Sequence, residues 1–172
     1  NPVAIQSMAK AKTSDLKKVT GQIRRLQKAG CEIIRVAVKD TADADAISRI
    51  KRSVSIPLVA DIHFDHRLAI RAIANGADKV RLNPGNSYKT EHVREVVAAA
   101  RSAGIPIRVG LNSGSVRGSG DPVDRMIKSS VDYIRSLEKM KFYDTVVSLK
   151  ASDAAGTIRA YRKMAKVCDY PF

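Results

Sequence analysis

Hydrophobic positions follow two alternating patterns along the chain. Short runs rich in β-branched residues are typical of β-strands and recur at 3–7, 33–38, 58–62, 79–82, 107–111 and 145–149. Between them, apolar residues return every three to four positions, as at Leu16, Val19 and Ile23, which predicts amphipathic helices. Several of these segments end at a glycine, and Ser14 and Asp65 are the predicted N-caps of two helices.

Strict alternation of strands and helices indicates parallel strands joined by right-handed crossovers. The runs at 33–38 and 58–62 are almost continuously apolar, which suits strands covered on both faces. No glycine-rich G-x-G-x-x-G turn follows the first strand, so an open nucleotide-binding sheet is disfavoured. We therefore predict an α/β fold, a parallel (β/α) TIM-type barrel truncated after about six of its eight strand–helix units. Pro171 and Phe172 fall where a seventh strand is expected to begin.

Charge and composition narrow the classes of partner. The chain carries 31 Lys and Arg against 17 Asp and Glu, a formal net charge of +14 over 172 residues. Much of the excess falls on predicted helices, where outward-facing charge is ordinary. Three Phe, five Tyr and no Trp leave little for stacking on bases, so we expect no nucleic-acid partner. No run approaches the roughly 18 apolar residues of a membrane span, and we expect a soluble protein that binds no membrane.

The two cysteines, Cys31 and Cys168, lack the paired spacing of a zinc, iron–sulfur or redox motif. We interpret both as reduced packing residues and expect no metal ligands in this chain.

Polar residues collect near the carboxyl ends of the predicted strands, which form the catalytic face of a (β/α) barrel. They are Gln6, Ser7, Arg35, Asp61, His63, Arg81, Asn83, Asn86, Arg108, Asn112, Lys150 and Ser152. Three arginines lie within strands, where an unpaired buried charge costs several kcal/mol. One aspartate cannot neutralise three arginines and a lysine, so we predict a bound anion with at least two negative charges, such as a diphosphate. The alternative is that single arginines pair with carboxylates on neighbouring strands.

Asp61 and His63 are two positions apart and so project from the same face of a strand. This spacing allows acid–base chemistry, although a merely hydrogen-bonded histidine fits it equally. His66 and His92 fall in helical segments and are expected at the surface.

Two loops near the strand ends admit two interpretations each. The Asn-Pro-Gly-Asn stretch at 83–86 is a turn whose asparagines could hold ligand oxygens or cap the turn itself. Asn112 could likewise bind a ligand or cap the loop that follows it. The glycine- and serine-rich stretch at 113–120 is either a phosphate-binding loop or a flexible connector.

Six motifs in this order closely resemble one family, 4-hydroxy-3-methylbut-2-en-1-yl diphosphate synthase of the non-mevalonate isoprenoid pathway. They are VAIQSM (3–8), GCEIIRVAV (30–38), VADIHFD (59–65), VRLNPGN (80–86), IRVGLNSGS (107–115) and VSLKASD (147–153). The similarity is collinear and covers essentially the whole chain.

The resemblance implies reductive ring opening of 2-C-methyl-D-erythritol 2,4-cyclodiphosphate, an oxidoreductase reaction that uses a 4Fe-4S cluster. It also implies a ferredoxin or flavodoxin electron donor, a homodimer, and a place in the bacterial cytoplasm or a plastid. Residues 1–172 would form the substrate-binding barrel, with the cluster ligands in a C-terminal domain outside this chain. The chain alone is expected to be inactive.

The resemblance further implies roles for eight residues. Those that match the family's diphosphate grip are Arg35, Arg81, Arg108 and Lys150. Those that match its pocket lining are Asp61, His63, Asn83 and Asn112. Two alternative functions stay open: a cluster-free phosphate-binding barrel enzyme of the pteroate-synthase type, and a non-catalytic diphosphate-binding module.

Overall fold

A computed structural model describes residues 3–63, 65–86 and 89–172. Six parallel strands form one curled sheet in the order β1-β2-β3-β4-β5-β6, so each strand pairs with its neighbours along the chain. The strands are β1 Gln6–Met8, β2 Ile33–Val38, β3 Leu58–Ile62, β4 Lys79–Leu82, β5 Ile107–Asn112 and β6 Thr145–Lys150. The helices are α1 Leu16–Lys28, α2 Thr41–Ser53, α3 His66–Ala74, α4 Thr90–Ala103, α5 Pro122–Lys139 and α6 Ala154–Met164. This curled half-barrel confirms the predicted fold class.

The strand bounds agree with the sequence pattern except at the ends of β1, β5 and β6. The predictions for β2, β3 and β4 are exact, and β5 and β6 each run one residue further. The first strand was predicted at 3–7, but it begins at Gln6, which pairs with Ile33. Because β2 starts at Ile33, the preceding residues extend past the end of the neighbouring strand, and Val3 and Ile5 are exposed.

The predicted caps are right at one helix and wrong at another. Asp65 caps α3, since its carboxylate accepts a hydrogen bond from the backbone N–H of Arg67. The cap of α1 is Asp15 rather than Ser14. The backbone N–H of Ser14 donates instead to the buried carboxylate of Asp43 at 2.9 Å. Ser14 therefore links the loop between β1 and α1 to the start of α2.

The hydrophobic core lies between the convex face of the sheet and the helices. Alternate strand residues point outward into it, among them Ile34, Leu58 and Leu111, all of which are essentially inaccessible to solvent. The helices contribute one apolar stripe each, for example Ile23 and Ile47. The intervening strand residues therefore face the concave side of the sheet.

The exposed side of β6 is partly covered by the chain that follows α6. The backbone N–H of Val147 donates to the carbonyl of Pro171 at 2.9 Å, which agrees with a seventh strand starting there. Two residues further along the same edge, the backbone N–H of Leu149 donates to the hydroxyl of Tyr161 on α6 at 3.1 Å.

Both cysteines are free thiols; Cys31 is buried, as expected of a packing residue, and Cys168 is half-buried. Within the described ranges, no helix combines the length and apolar character that crossing a membrane requires.

Candidate anion site

The concave face of the sheet is strongly basic. Because strand side chains alternate, Arg35 on β2, Asp61 on β3 and Arg108 on β5 all point to this face. Its charged strand residues in the described part of the chain are Arg35, Asp61, Lys79, Arg81, Arg108 and Lys150. One carboxylate among five basic groups leaves an excess of four positive charges on this face, one of them on Lys150 at its exposed end.

Asp61 binds two of the arginines. Its side chain is almost fully buried, and Arg81 Nη1 donates to its Oδ1 at 3.0 Å. Arg35 Nε lies 3.4 Å from its Oδ2. The alternative that the arginines pair with carboxylates thus applies to Arg35 and Arg81, but both share a single charge.

Gly110 makes room for the Arg81 side chain. A Cβ at Gly110 would lie 2.5 Å from Arg81 Nε, closer than a Cβ can approach another atom, and 3.3 Å from its Cζ, which is a tight contact. The carbonyl of Gly110 also accepts from Arg81 Nη2 at 2.7 Å. The sequence analysis missed this residue, although a glycine inside a strand is a known sign of close approach by another group.

Arg108 is held without a carboxylate. Its Nη1 donates to Gln6 Oε1 on β1 at 2.9 Å, and its Nη2 donates to Ser148 Oγ on β6 at 2.7 Å. Burial and the nearby positive charge of Arg35 lower the pKa of Arg108. The guanidinium thus reaches from β5 to β1 and forms no ion pair with any described carboxylate.

The two lysines of the concave face form no ion pair or side-chain hydrogen bond with any described residue. Lys150 is exposed at the end of β6. Lys79 is half-buried near the start of β4, and burial together with the charge of Arg108 lowers its pKa. The sequence analysis missed Lys79, although its spacing of two from Arg81 places both on one face of the strand.

His63 lies at the exit of β3, beside the arginine cluster. Its Nε2 is 3.9 Å from Asp61 Oδ2, and 38% of its side chain is exposed. The structure therefore brings the two titratable groups together as their spacing suggested. An acid–base role for Asp61 or His63 stays a prediction.

The loops after β4 and β5 pack tightly on each other at the rim. Asn83 is buried, and its Oδ1 accepts from the backbone N–H of Gly85 at 3.0 Å and from Ser115 Oγ at 3.4 Å. A Cβ at Gly85 would overlap the carbonyl oxygen of Ser115. Asn83 thus caps its own turn, which spans Pro84–Asn86, and joins it to the next loop.

The remaining rim residues are less closely connected to the cluster. The side chain of Asn112 is exposed, and its backbone N–H donates to Ser115 Oγ at 3.3 Å. Ser152 Oγ is 3.2 Å from Ser113 Oγ, which links the loops after β5 and β6. Ser7 alternates with Gln6 and so projects away from Arg108. The side chain of Asn86 lies outside the part of the chain that the structure describes.

His66 differs from the expectation of a surface residue. Its ring stacks on that of His92 at a centroid distance of 3.8 Å, and its Nε2 lies 3.2 Å from Glu95 Oε2. Only 14% of its side chain is exposed, because α3 and α4 pack together there.

The described residues contain no group of three or more His, Cys, Asp or Glu side chains close enough to hold a metal ion. Cys31 lies in the core, where its thiol contacts the carbonyl of Ile33 at 3.1 Å. The described residues therefore do not fit the ligand set of an iron–sulfur cluster.

Comparison with known proteins identifies the family. Residues 1–172 match the family described as the GcpE TIM-barrel domain. The chain belongs to this family.

Curated relatives of the GcpE barrel are named 4-hydroxy-3-methylbut-2-en-1-yl diphosphate synthase (flavodoxin). The protein from Anoxybacillus flavithermus is 52% identical over 177 residues, and the one from Thermotoga petrophila is 53% identical over 171 residues. Both alignments cover 99% of this chain and 49% of the relative. The chain therefore spans about half the length of the relatives it matches.

Solved structures with much lower identity share the fold of this GcpE barrel. Dihydropteroate synthase of Xanthomonas albilineans superposes with a TM-score of 0.72 at 12% identity, over 95% of this chain and 69% of that one. Tryptophan synthase of Pyrococcus furiosus gives 0.64 at 13% identity, over 97% and 75% of the two chains. These likenesses show the fold alone.

Proposed function

We propose that this chain is the substrate-binding barrel of a 4-hydroxy-3-methylbut-2-en-1-yl diphosphate synthase. Its ligand is then 2-C-methyl-D-erythritol 2,4-cyclodiphosphate, and the overall reaction is reductive opening of the ring in isoprenoid biosynthesis. Family membership and the names of the relatives support the reaction. The observation that carries the choice of ligand is the excess of four positive charges on the concave face of the half-barrel.

The arginines are suited to bind a diphosphate. Arg81 Nε and Arg108 Nε are buried and make no hydrogen bond with any described residue. Arg35 Nε is buried too and makes no hydrogen bond there, although it lies within ion-pair distance of Asp61 Oδ2, at 3.4 Å. Buried donors without acceptors are costly, so ligand oxygens placed among them would be bound strongly. Guanidinium groups bind phosphate oxygens in pairs, and a diphosphate supplies several such oxygens.

Asp61 serves this site as an organiser. By binding Arg81 and standing beside Arg35, it fixes their orientation while leaving most of the positive charge for the ligand. His63 lies just after β3, at the exposed side of the site, where a protonated imidazole could donate a proton to the ring oxygen that leaves as the ring opens. We assign that role to His63 because it is the more exposed member of the pair. Lys150, Asn83 and Asn112 are proposed to close the site at the rim.

A 4Fe-4S cluster would supply the two electrons that ring opening consumes, and flavodoxin or ferredoxin would deliver them. The described residues of this chain do not provide a ligand set for a cluster, so we assign the ligands to a region outside residues 1–172. The barrel contributes binding and proton transfer. We further propose that the protein acts in the bacterial cytoplasm, in keeping with the flavodoxin named for bacterial relatives, and that it forms a homodimer, as the resemblance to the family implies.

Calorimetric titration of the protein at its native length with the cyclodiphosphate and with pyrophosphate tests this proposal. Arg108→Met should weaken binding of both by about 10- to 100-fold, since a buried charge-assisted contact is lost. Arg25→Met, which removes an exposed charge from the outer face of α1, should leave both affinities unchanged. Wild-type protein that binds neither ligand would refute the proposal.

Turnover distinguishes the proposal from the two alternative functions. The protein at native length should form 4-hydroxy-3-methylbut-2-en-1-yl diphosphate with reduced flavodoxin, whereas residues 1–172 alone should bind ligand without converting it. Tight binding of a pterin diphosphate and no binding of the cyclodiphosphate would favour a pteroate-synthase-type enzyme instead.

A further inference from the structure

Lys79 has no role in the arrangement described so far. It lies on β4 two residues before Arg81, on the same concave face and closer to the amino-terminal end of the half-barrel. In the sheet register, Lys79 is level with Val59, which in turn is level with Arg35. A basic group therefore stands one level, about 7 Å, below the level of Asp61, Arg81 and Arg108.

Lys79 has no ion-pair or hydrogen-bond partner for its ammonium group among the described residues. The charged groups that face it from the two neighbouring strands are Asp61 on β3 and Arg108 on β5, with Arg35 one strand further away on β2. Asp61 is already bound to Arg81. Burial and the charge of Arg108 lower the pKa of Lys79, because both destabilise its charged form.

We propose that Lys79 is a specificity-determining residue at the floor of the anion site, where its charge favours a diphosphate over a monophosphate. This inference rests on the function proposed above and adds to it a residue and a selectivity. Cations stand on two levels along the barrel axis, and a ligand with two phosphoryl groups spreads its charge over both. A single phosphate held by Arg81 and Arg108 on the upper level gains less from Lys79 on the lower level, because the attraction weakens with distance.

Two opposite effects of one substitution distinguish this role from a structural one. Lys79→Met removes an uncompensated half-buried charge, so the ligand-free protein should melt at a higher temperature than wild type. The same substitution should weaken binding of the diphosphate. A lysine that merely supports the fold would lower the melting temperature when it is replaced.

The test is calorimetric titration of the protein at native length with pyrophosphate and with orthophosphate, at one pH and one ionic strength. Lys79→Met should weaken pyrophosphate binding about tenfold and orthophosphate binding by about threefold or less. Lys79→Arg keeps the charge and should bind both ligands nearly as wild type does. Lys17→Met makes the same chemical change on the exposed face of α1 and should alter neither affinity.

Each other outcome overturns the inference. Unchanged pyrophosphate affinity in Lys79→Met, or an equal loss for both ligands, would show that Lys79 does not select the diphosphate. Failure of Lys79→Met to fold would show that the residue supports the structure rather than burdening it. If wild type binds pyrophosphate and only the effect of Lys79 is missing, the proposed function survives; if wild type binds no pyrophosphate, both fail.

Discussion

Gly110 offers the sharpest test of how the site is built. Replacing it with alanine would place a Cβ 2.5 Å from Arg81 Nε, so the Arg81 side chain must move. The head of that side chain is held by Asp61 Oδ1 at 3.0 Å and by the carbonyl of Gly110 at 2.7 Å. It cannot move without losing at least one of these bonds.

The size of the effect follows from two contributions. Inserting a methyl group into a packed interior costs about 1–3 kcal/mol. Loss of one hydrogen bond from a buried guanidinium costs about a further 1–2 kcal/mol, because part of the charge is left without a partner. We expect Gly110→Ala to lower the free energy of unfolding by about 3 kcal/mol and to weaken pyrophosphate binding about 10-fold or more, since Arg81 is displaced.

Urea denaturation followed by circular dichroism, together with calorimetric titration of pyrophosphate, measures both quantities. Gly114→Ala is the matched control, because no atom lies within 4 Å of a Cβ at that position. It should change stability by about 0.5 kcal/mol or less. Gly110→Ala that is as stable as Gly114→Ala and binds pyrophosphate like wild type would refute the packing of Arg81 against Gly110.

Three further predictions concern the aspartates around the site. Asp61→Asn should lower the free energy of unfolding by about 3 kcal/mol in anion-free buffer, because it leaves the buried Arg81 and the half-buried Arg35 uncompensated. Pyrophosphate should reduce this loss of stability, and an equal loss with and without pyrophosphate in urea denaturation would contradict the prediction. Asp43→Ala should lower the free energy of unfolding by about 2 kcal/mol, since the buried carboxylate accepts from the backbone N–H of Ser14 and of Lys39. Asp45→Ala, which breaks an exposed ion pair between α2 and Arg71 on α3, should lower it much less. Equal urea midpoints for the two variants would argue against the connection that Asp43 makes between the loops. Hydrogen bonds from Arg67 lower the pKa of Asp65 to about 2. The stability that this carboxylate contributes is therefore present above roughly pH 4 and is lost as pH falls through about 2. Asp65→Asn should lower the free energy of unfolding by about 1 kcal/mol near neutral pH, after allowance for solvent screening, and its difference in melting temperature from wild type should shrink as pH falls from about 4 to about 2.

The periodicity of the chain determined the architecture. Continuous apolar runs and helical spacing located β2, β3 and β4 to the residue, because burial on both faces and amphipathic helices leave direct patterns in sequence. Alternation within a strand also put Arg35, Arg81 and Arg108 on the face away from the helices. A local pattern decides these features, so they can be predicted without the tertiary structure.

Only the tertiary structure decided how the charges are shared. That one carboxylate serves both Arg35 and Arg81, and that Arg108 reaches Gln6 across 102 residues of sequence, depends on the register between strands and on the curl of the sheet. The start of α1 also involves a residue far away in the chain: Asp15 is the N-cap, while the backbone N–H of the neighbouring Ser14 donates to Asp43 on α2. Contacts between residues far apart in the chain leave no periodic signal, which is why the network around the anion site had to be read from the fold.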